Sequence, residues 1–436
     1  MMSPLRPGWA WVMLGDVCDR AEKWDPRSEP VAEFQYIDIS SIDRQRIQRT
    51  TRVVGAEAPS RARQVVRAGD TVLSTVRTYL VNTAQVPDEL DGATVSTGFC
   101  VLRPTDAIDS RFLFYRVIES GFVEALSRKQ TGSSYPAVRD RDVFDQPIAL
   151  PPLAEQRRIV AAIEVHLSRL DAAEAAVRSV NDRLDLFRRS VLGAAVAEGH
   201  AAVLGDLLVR IEAGRSAGGP APPAKAGEWG VIKVSAMTWG EFRPGENKLV
   251  ASDSVDPRHE IHAGDLLVSR ANTTEYVGAA VLVRETPPRL VLSDKSLRLI
   301  VRDGVDREWL LYALLAPSTR RQISAVATGT SDSMRNISQE KLRAVRLRVP
   351  DARRQRTIAD ELSRQLGVVT ELAAAADGAL SKAAALRRSI LLQAFAGELV
   401  PQNTEDEPAS ALLERIVAER AVSPAPVRER RVSAPA

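Results

Sequence analysis

The chain has 436 residues, 44% of them apolar and 26% charged, with 59 basic against 56 acidic side chains and a formal net charge of +3. A length of this order holds two or three domains, each with its own core, and excludes a disordered or fibrous chain by composition. The near balance of charge announces no polyanionic partner by itself. No apolar run is long enough for a transmembrane helix.

The opening residues, MMSPLRPGWAWVMLGD, lack a basic stretch followed by a long apolar one, so no secretory leader is expected. Cys18 and Cys100 suit a reducing cytoplasm and are expected to be buried free thiols. Residues 1–150 read as a mixed α/β domain. Residues 34–39 alternate as a short strand that Ser40-Ser41 ends. Gly69-Asp70 makes a turn, and the apolar run after it, through Ser74, is a buried strand. Residues 95–102 (VSTGFCVL) predict another strand. Residues 112–126 carry apolar side chains at helical spacing, giving a helix or a helix pair broken near Gly121. The polar loop QTGSSYP follows from Gln130, then a last strand over 144–150 that Pro151-Pro152 ends.

Residues 200–350 replay this order as a second domain. Leu204-Gly205-Asp206 echoes Leu14-Gly15-Asp16, Ala263-Gly264-Asp265 echoes Ala68-Gly69-Asp70, and Thr328-Gly329 echoes Thr131-Gly132. The offset drifts from 190 through 195 to 197 between these anchors, as variable loops on a common frame would make it. Residues 231–235, 290–300, 309–315 and 345–349 supply the remaining echoes. Residues 214–227 (GRSAGGPAPPAKAG) are flexible by composition.

Two further stretches, 151–199 and 351–398, are versions of each other at one ungapped offset. Gln156-Arg157 matches Gln355-Arg356, Ile159 matches Ile358, and Arg188-Arg189-Ser190 matches Arg387-Arg388-Ser389, all 199 apart. An ungapped repeat of this length indicates a rigid helix, since an insertion would rotate every later side chain by about 100°. A heptad seam runs through Ile163, His166, Leu170, Ala173, Val177, Val180, Leu184, Phe187, Val191 and Ala194. The same register in the second stretch gives Leu362, Gln365, Val369, Leu372, Ala376, Ala379, Ala383, Leu386, Ile390 and Gln393. Small residues facing large ones favour antiparallel pairing of the two helices within one chain, each about 65 Å long. Residues 399–436 hold a short amphipathic helix over 409–420 and a Pro- and Arg-rich tail read as disordered.

Catalytic signatures are not found. There is no Gly-x-x-x-x-Gly-Lys-Ser/Thr loop, no Gly-rich dinucleotide fingerprint after a strand, and no Asn/Asp-Pro-Pro-aromatic motif of amino-methyltransferases. Glu246-Asn247-Lys248 lacks the upstream Pro-Asp of a nuclease, and His259 and His262 lack a third metal ligand. His166 is a packing residue on the seam. No nucleophile meets a base, so the chain reads as a non-catalytic recognition component.

Residues 150–159, LPPLAEQRRI, resemble the segment that opens the spacer helices of type I restriction–modification specificity subunits. The Ala-Gly-Asp strand and the Thr-Gly-Ser/Thr-Ser loop resemble that family's target recognition domains, and residues 394–402 with 406–409 resemble its C-terminal end. The second copy departs from the pattern, with one proline missing and Arg354 where the first has Glu155. The resemblance implies two α/β target recognition domains joined by two long antiparallel coiled-coil helices, with pseudo-twofold symmetry. It implies that each domain reads one half of a bipartite, asymmetric site on double-stranded DNA and that the helices set the gap. Two methyltransferase subunits would dock on the helices and methylate adenine at N6, and two restriction/translocase subunits would join them in the cytoplasm. S-adenosylmethionine, ATP and magnesium would serve those partners, with no cofactor or metal bound here.

Base reading needs Arg, Asn, Ser, Thr and Tyr at groove-facing edges, with other groups on phosphates. Seven arginines crowd residues 44–67. The expected DNA contacts in domain one are Arg61, Arg63, Arg67, Ser74, Arg77, Tyr79, Asn82, Ser133, Ser134, Tyr135 and Arg139. In domain two they are Ser269, Arg270, Asn272, Thr273, Thr274, Tyr276, Lys295, Ser331, Ser333, Arg335 and Asn336. Pro151, Pro152, Leu153, Glu155, Gln156, Gln355 and Phe395 are expected to dock the methyltransferase. Alternative readings are a reader for a type IIB-like or phage-exclusion methyltransferase complex, or a coiled-coil scaffold with no DNA specificity.

Overall fold

The structure, a computed structural model, describes residues 5–215, 219–238, 240–331 and 334–422. It divides into two compact units: Met1–Ala175 with Leu380–Ala436, and Ala176–Ala379. No helix among the described residues is long and apolar enough to cross a membrane.

In unit 1, an antiparallel sheet runs in the order Thr83–Gln85, Thr71–Ser74, Phe99–Pro104, Cys18–Asp19. A second sheet runs Glu22–Lys23, Ala62–Val65, Thr94–Ser96, Glu33–Ile37, Thr51–Val54. A third pairs Ala10–Met13 with Pro147–Leu150. Unit 2 repeats the first sheet in the same order: Ala280–Leu282, Leu266–Ser269, Ser296–Val301, Leu208–Ala213. It also repeats the third, His200–Val203 with Arg346–Val349. The duplication is therefore one of topology as well as sequence.

One strand expectation is corrected. Residues 95–102 form two strands in two sheets, Thr94–Ser96 and Phe99–Pro104. Gly98 makes the crossing: a Cβ there would lie 2.6 Å from Ile39 Cδ1, and its carbonyl accepts hydrogen bonds from both the Thr75 N–H and the Thr75 hydroxyl. Likewise 290–300 divides into Leu290–Val291 and Ser296–Val301. The apolar helix is a pair, Ser110–Ile118 and Ser120–Ser127. It breaks at Glu119, earlier than Gly121, because the Glu119 carboxylate caps the Gly121 and Phe122 amides.

The Gly-Asp turns hold more than a turn. Asp70 is buried, accepts from the Arg67 amide, and receives the Arg103 guanidinium at 2.9 Å. Asp265 accepts from the His262 amide and pairs with buried Arg298 at 3.0 Å. Both partners are shifted by 195 residues, so each domain stitches the same two strands with the same charge pair. Cys18 and Cys100 are free and buried in this core, and burial pushes both thiols well up from their ordinary values.

The long helices are Leu153–Gly193 and Ala352–Phe395. They run antiparallel within each unit: Arg387 pairs with Asp171 and Glu174 in unit 1, and Asn181 bonds Asp377 in unit 2. The expected seam is half right. Ile163, Leu170, Val177, Leu184 and Val191 turn inward, but His166, Ala173, Val180, Phe187 and Ala194 are exposed. Their places are taken by Leu167, Glu174, Asn181, Arg188 and Ala195. The second helix slips identically, with Leu366, Ala373, Leu380, Arg387 and Ala394 inward of their exposed or partly exposed neighbours. Heptad steps of three-four and four-three differ by one residue in alternate positions, and the alanines of the second helix let polar side chains occupy the seam.

Gln156 fixes where the first helix starts. Its carbonyl accepts the Asp109 amide at 2.8 Å, and its amide donates to the Ala107 and Pro151 carbonyls at 3.1 and 3.0 Å. Asp109 is the N-cap of Ser110–Ile118, so one buried glutamine binds the domain's helix to the spacer helix. Gln355 repeats the arrangement, accepting from the N-cap Asp306 at 2.9 Å and donating to Pro350 at 2.8 Å. We expect Gln156→Ala to leave three buried backbone groups unpaired and to destabilise unit 1 by about 2–4 kcal/mol. Scanning calorimetry checks this; a melting profile unchanged from the parent would refute the clasp.

Candidate nucleic-acid interface

The residues after the Asp-anchored strand meet the polar loop in both units, with one register. In unit 1 the Thr75 amide bonds the Gly98 carbonyl and the Val138 amide bonds Thr75, both at 2.9 Å, while Val76 bridges Ala137. In unit 2 the Arg270 amide bonds Lys295 at 2.8 Å, the Ile337 amide bonds Arg270 at 2.9 Å, and Ala271 pairs with Asn336. Ala271–Asn272, Met334–Asn336 and Thr328–Ser331 form a small sheet there.

This register gathers Arg77, Ser133, Ser134 and Tyr135 on one surface of unit 1. Tyr135 is 72% exposed, and the Arg77 guanidinium lies 5.1 Å from its ring centre while donating to the Ser134 carbonyl at 3.3 Å. Arg77 takes a left-handed backbone, φ 49°, held by its amide bond to Pro136 at 2.8 Å. Tyr79 is exposed beside it and Asn82 is half-buried. In unit 2 the register gathers exposed Arg270, Thr273, Thr274 and Asn336 with half-buried Asn272, Tyr276, Lys295 and Arg335. Asn272 accepts the Thr273 amide at 2.8 Å, and Arg335 donates to the Ala327 carbonyl at 2.9 Å. Ser333 lies outside the described residues, as does the side chain of Ser331.

Several expected contacts are already used inside the fold. Ser74 is buried and its hydroxyl donates to the Val76 carbonyl at 2.9 Å; Ser269 is buried and donates to Ala271 at 3.4 Å. Both point inward from their sheets and leave the set of candidate base readers. Arg63 pairs with Asp25 at 2.6 Å, Arg67 pairs with Glu22, and Arg139 grips Asp142 at 3.1 Å. That grip holds the Asp142 carboxyl below the usual carboxylate range. Arg61 is exposed. Among the arginines of residues 44–67 lies a hairpin with no sequence signal, Ile42–Asp43 with Arg46–Ile47, whose turn residues Arg44 and Gln45 both have positive φ. No Asn-Gly or Asp-Gly marks it, so the usual turn signal is absent.

The residues expected to dock the methyltransferase are largely engaged inside the fold. Pro151, Pro152, Glu155, Gln156 and Gln355 are buried in their own units, Leu153 is half-buried, and Phe395 packs edge-on against Phe112 at 5.3 Å. The Glu155 carboxylate accepts the Trp9 indole N–H at 3.1 Å, and burial raises its affinity for a proton. Arg354, its counterpart, instead pairs with Glu198 at 2.5 Å.

Residues 7–177 match the family described as the type I restriction modification DNA specificity domain. The chain is 30% identical to the HsdS subunit of Thermoanaerobacter tengcongensis, whose crystal structure it matches with a TM-score of 0.53 over 91% of this chain and 98% of that one. It belongs to the specificity subunits of type I restriction–modification systems. A solved structure of a type I restriction–modification system matches with a TM-score of 0.75 and 30% identity, over 91% of this chain and 100% of that one. The Escherichia coli K12 EcoKI specificity subunit is 27% identical over 356 residues, 74% of this subunit and 75% of that one. The EcoEI specificity subunit of Escherichia coli is 33% identical over 150 residues, 34% of this chain and a quarter (25%) of that one's length.

Two outcomes follow for this specificity subunit. Arg77→Ala should weaken specific DNA binding by about 1–3 kcal/mol and relax base choice at one position. Arg139→Ala, whose charge is spent on Asp142, should leave both within experimental error; titrations on matched and single-mismatch duplexes separate the two. For Glu155 the sign is set by its raised proton affinity. The folded state binds the proton more tightly than the unfolded one, so the group costs nothing at low pH and costs stability as pH rises through its folded value. Glu155→Gln should therefore gain thermal stability relative to the parent between about pH 4 and about pH 8. A relative loss at the higher pH would show the carboxylate to be stabilising.

Proposed function

We propose that each globular domain reads one half of a bipartite DNA site through the paired loops described above, and that the two long helices set the unspecified gap. The shared hydrogen-bond register with different side chains at its tips carries this reading. Arg77 and Tyr135 stand in one domain where Asn272 and Met334–Asn336 stand in the other, so the two half-sites differ and the whole site is asymmetric. The near balance of charge, a formal net +3, fits a reader that uses one face and directional contacts rather than diffuse attraction.

The subunit acts by positioning. Two methyltransferase subunits dock on the helices, using S-adenosylmethionine to place methyl groups on adenine N6, and two restriction/translocase subunits supply ATP- and magnesium-dependent cleavage. Large exposed apolar side chains on the helices support docking there. In unit 2 these are Val180, Leu186 (66% exposed), Phe187, Val368 and Leu372, and in unit 1 Val165, Leu386 and Leu392. Apolar surface of this kind marks a partner site on a soluble protein.

The test is modification-sensitive sequencing of DNA from cells carrying this subunit and its methyltransferase. A bipartite asymmetric motif with adenine methylation on both strands is expected; a continuous palindrome or no methylation rejects the reading. Inserting four residues beside Asp182 lengthens the helix by about 6 Å. The gap should change while both half-sites persist, and altered half-sites with an unchanged gap would contradict the ruler role.

A further inference from the structure

The connection between Thr71–Ser74 and Thr83–Gln85 in unit 1 is a short, rigid turn with an apolar tip. Tyr79 and Leu80 are 53% and 52% exposed, although large apolar side chains on a soluble surface call for a reason. The turn is bounded by two left-handed residues, Arg77 at φ 49° and Val81 at φ 51°. A β-branched residue in that region is a genuine outlier, and such strain persists where the surroundings over-determine it. Here Thr78 supplies the anchor. It is buried, its hydroxyl bonds the Ser127 hydroxyl at 2.9 Å and receives the Gln130 amide at 2.9 Å, and its carbonyl accepts the Val81 amide at 3.0 Å.

Unit 2 keeps the frame but turns the tip inward. The Ser74 amide bonds the Asn82 carbonyl as the Ser269 amide bonds Ala279, which sets Val81 opposite Gly278. Gly278 has φ 72°, the same conformation at no steric cost. By that register Tyr276 and Val277 stand where Tyr79 and Leu80 do, but Tyr276 is half-buried and Val277 is fully buried, and the exposed residues just before them, Thr273, Thr274 and Glu275, are polar. The left-handed turn thus belongs to the common frame, and an exposed apolar tip belongs to domain one alone.

Arginines flank the tip. Tyr79 and Val81 line a cleft of about 760 Å³ whose edge carries Arg388, together with Arg128, paired with Glu124 at 3.6 Å, and Arg387, paired with Asp171 and Glu174. Arg388 is exposed, and Arg77 lies at the other side of the turn, stacked on Tyr135. An apolar point between arginines matches a nucleic-acid strand, with phosphates on either side of a stacked base step. Side chains of this kind enter base steps and unstack them when they are held rigidly enough to bear the cost.

We propose that Tyr79 and Leu80 form a wedge that enters one base step of the half-site read by domain one, so that this half is recognised partly by its ability to unstack, while domain two reads an undeformed duplex. The proposal rests on the half-site reading above. Its test uses the full chain with its methyltransferase and a duplex carrying the motif found by sequencing. 2-Aminopurine is placed in turn at each position of both half-sites except the methylated adenines, since unstacking raises its fluorescence. A rise is expected at one step of one half-site only. The double variant Tyr79→Ala/Leu80→Ala should abolish it and lower affinity about tenfold, whereas Val31→Ala, at an exposed apolar side chain outside the reading loops, should keep it. Because the tip is exposed, the wedge variant should melt with the parent, and methylation of the parent's motif confirms the complex is competent. If the parent methylates a bipartite motif but no position brightens, or the rise survives in the double variant, the wedge is overturned and the half-site reading stands. If the parent methylates no bipartite motif, both fall together.

Discussion

A buried glutamine at the first turn of each long helix is the contact on which the architecture depends. Gln156 and Gln355 each accept a hydrogen bond from the backbone N–H of an N-cap aspartate and donate one to a carbonyl just before their own helix. A backbone amide at the start of a helix has no partner within it. The glutamine therefore satisfies a group that would otherwise be buried unpaired, and in doing so it ties the direction of the spacer helix to the globular domain. Leucine would fill the space but leave the amides orphaned, which explains why the position is polar although fully buried.

Around that common joint the two copies diverge in a graded way. The Asp70–Arg103 and Asp265–Arg298 pairs are kept with the same spacing and nearly the same geometry, because a buried carboxylate stripped of its guanidinium would be strongly destabilising. At the helix starts the chemistry changes, and Glu155 keeps one carboxylate oxygen, Oε1, buried without a hydrogen-bond partner among the described residues. Glu155 answers Trp9, and Arg354 answers Glu198, each with a complementary group supplied by its own unit. At the loop tips the side chains differ, with Arg77 held by Ser134 and Tyr135 in one unit and Asn272 by the Thr273 amide in the other, and there the copies share only backbone conformation. This ordering, from core to joint to tip, is what a duplicated reader needs if its frame must stay fixed while its specificity varies.

The sequence disclosed the duplication, the two domains and the two helices because they rest on periodicity and spacing. It was blind where tertiary partners decide. Ser74 and Ser269 read as groove-facing because they end strands beside polar loops, yet each turns inward to a backbone carbonyl two residues on. Large apolar residues are the default interior, which favours Val180 and Phe187 inside the seam. The structure puts Asn181 and Arg188 there instead, since a coiled seam reads equally well in two phases and only the partner helix selects one. Gln156 and Glu155 stand out in the sequence, but Asp109 and Trp9, to which they bond, lie 47 and 146 residues away, and no local pattern reveals them.

The division of the chain has a consequence for how it is made. Unit 2 is one uninterrupted stretch, Ala176–Ala379, whereas unit 1 is assembled from Met1–Ala175 and Leu380–Ala436. Phe395, Leu399 and Ala409 pack into the core that Phe112 and Ile159 begin, and Ala409 donates its amide to the carbonyl of Gly8. During synthesis the inner unit has all of its residues before the outer one does. The first-made domain emerges with part of its core uncovered and keeps it so until the last residues arrive, so the earliest sequence is the last to be completed.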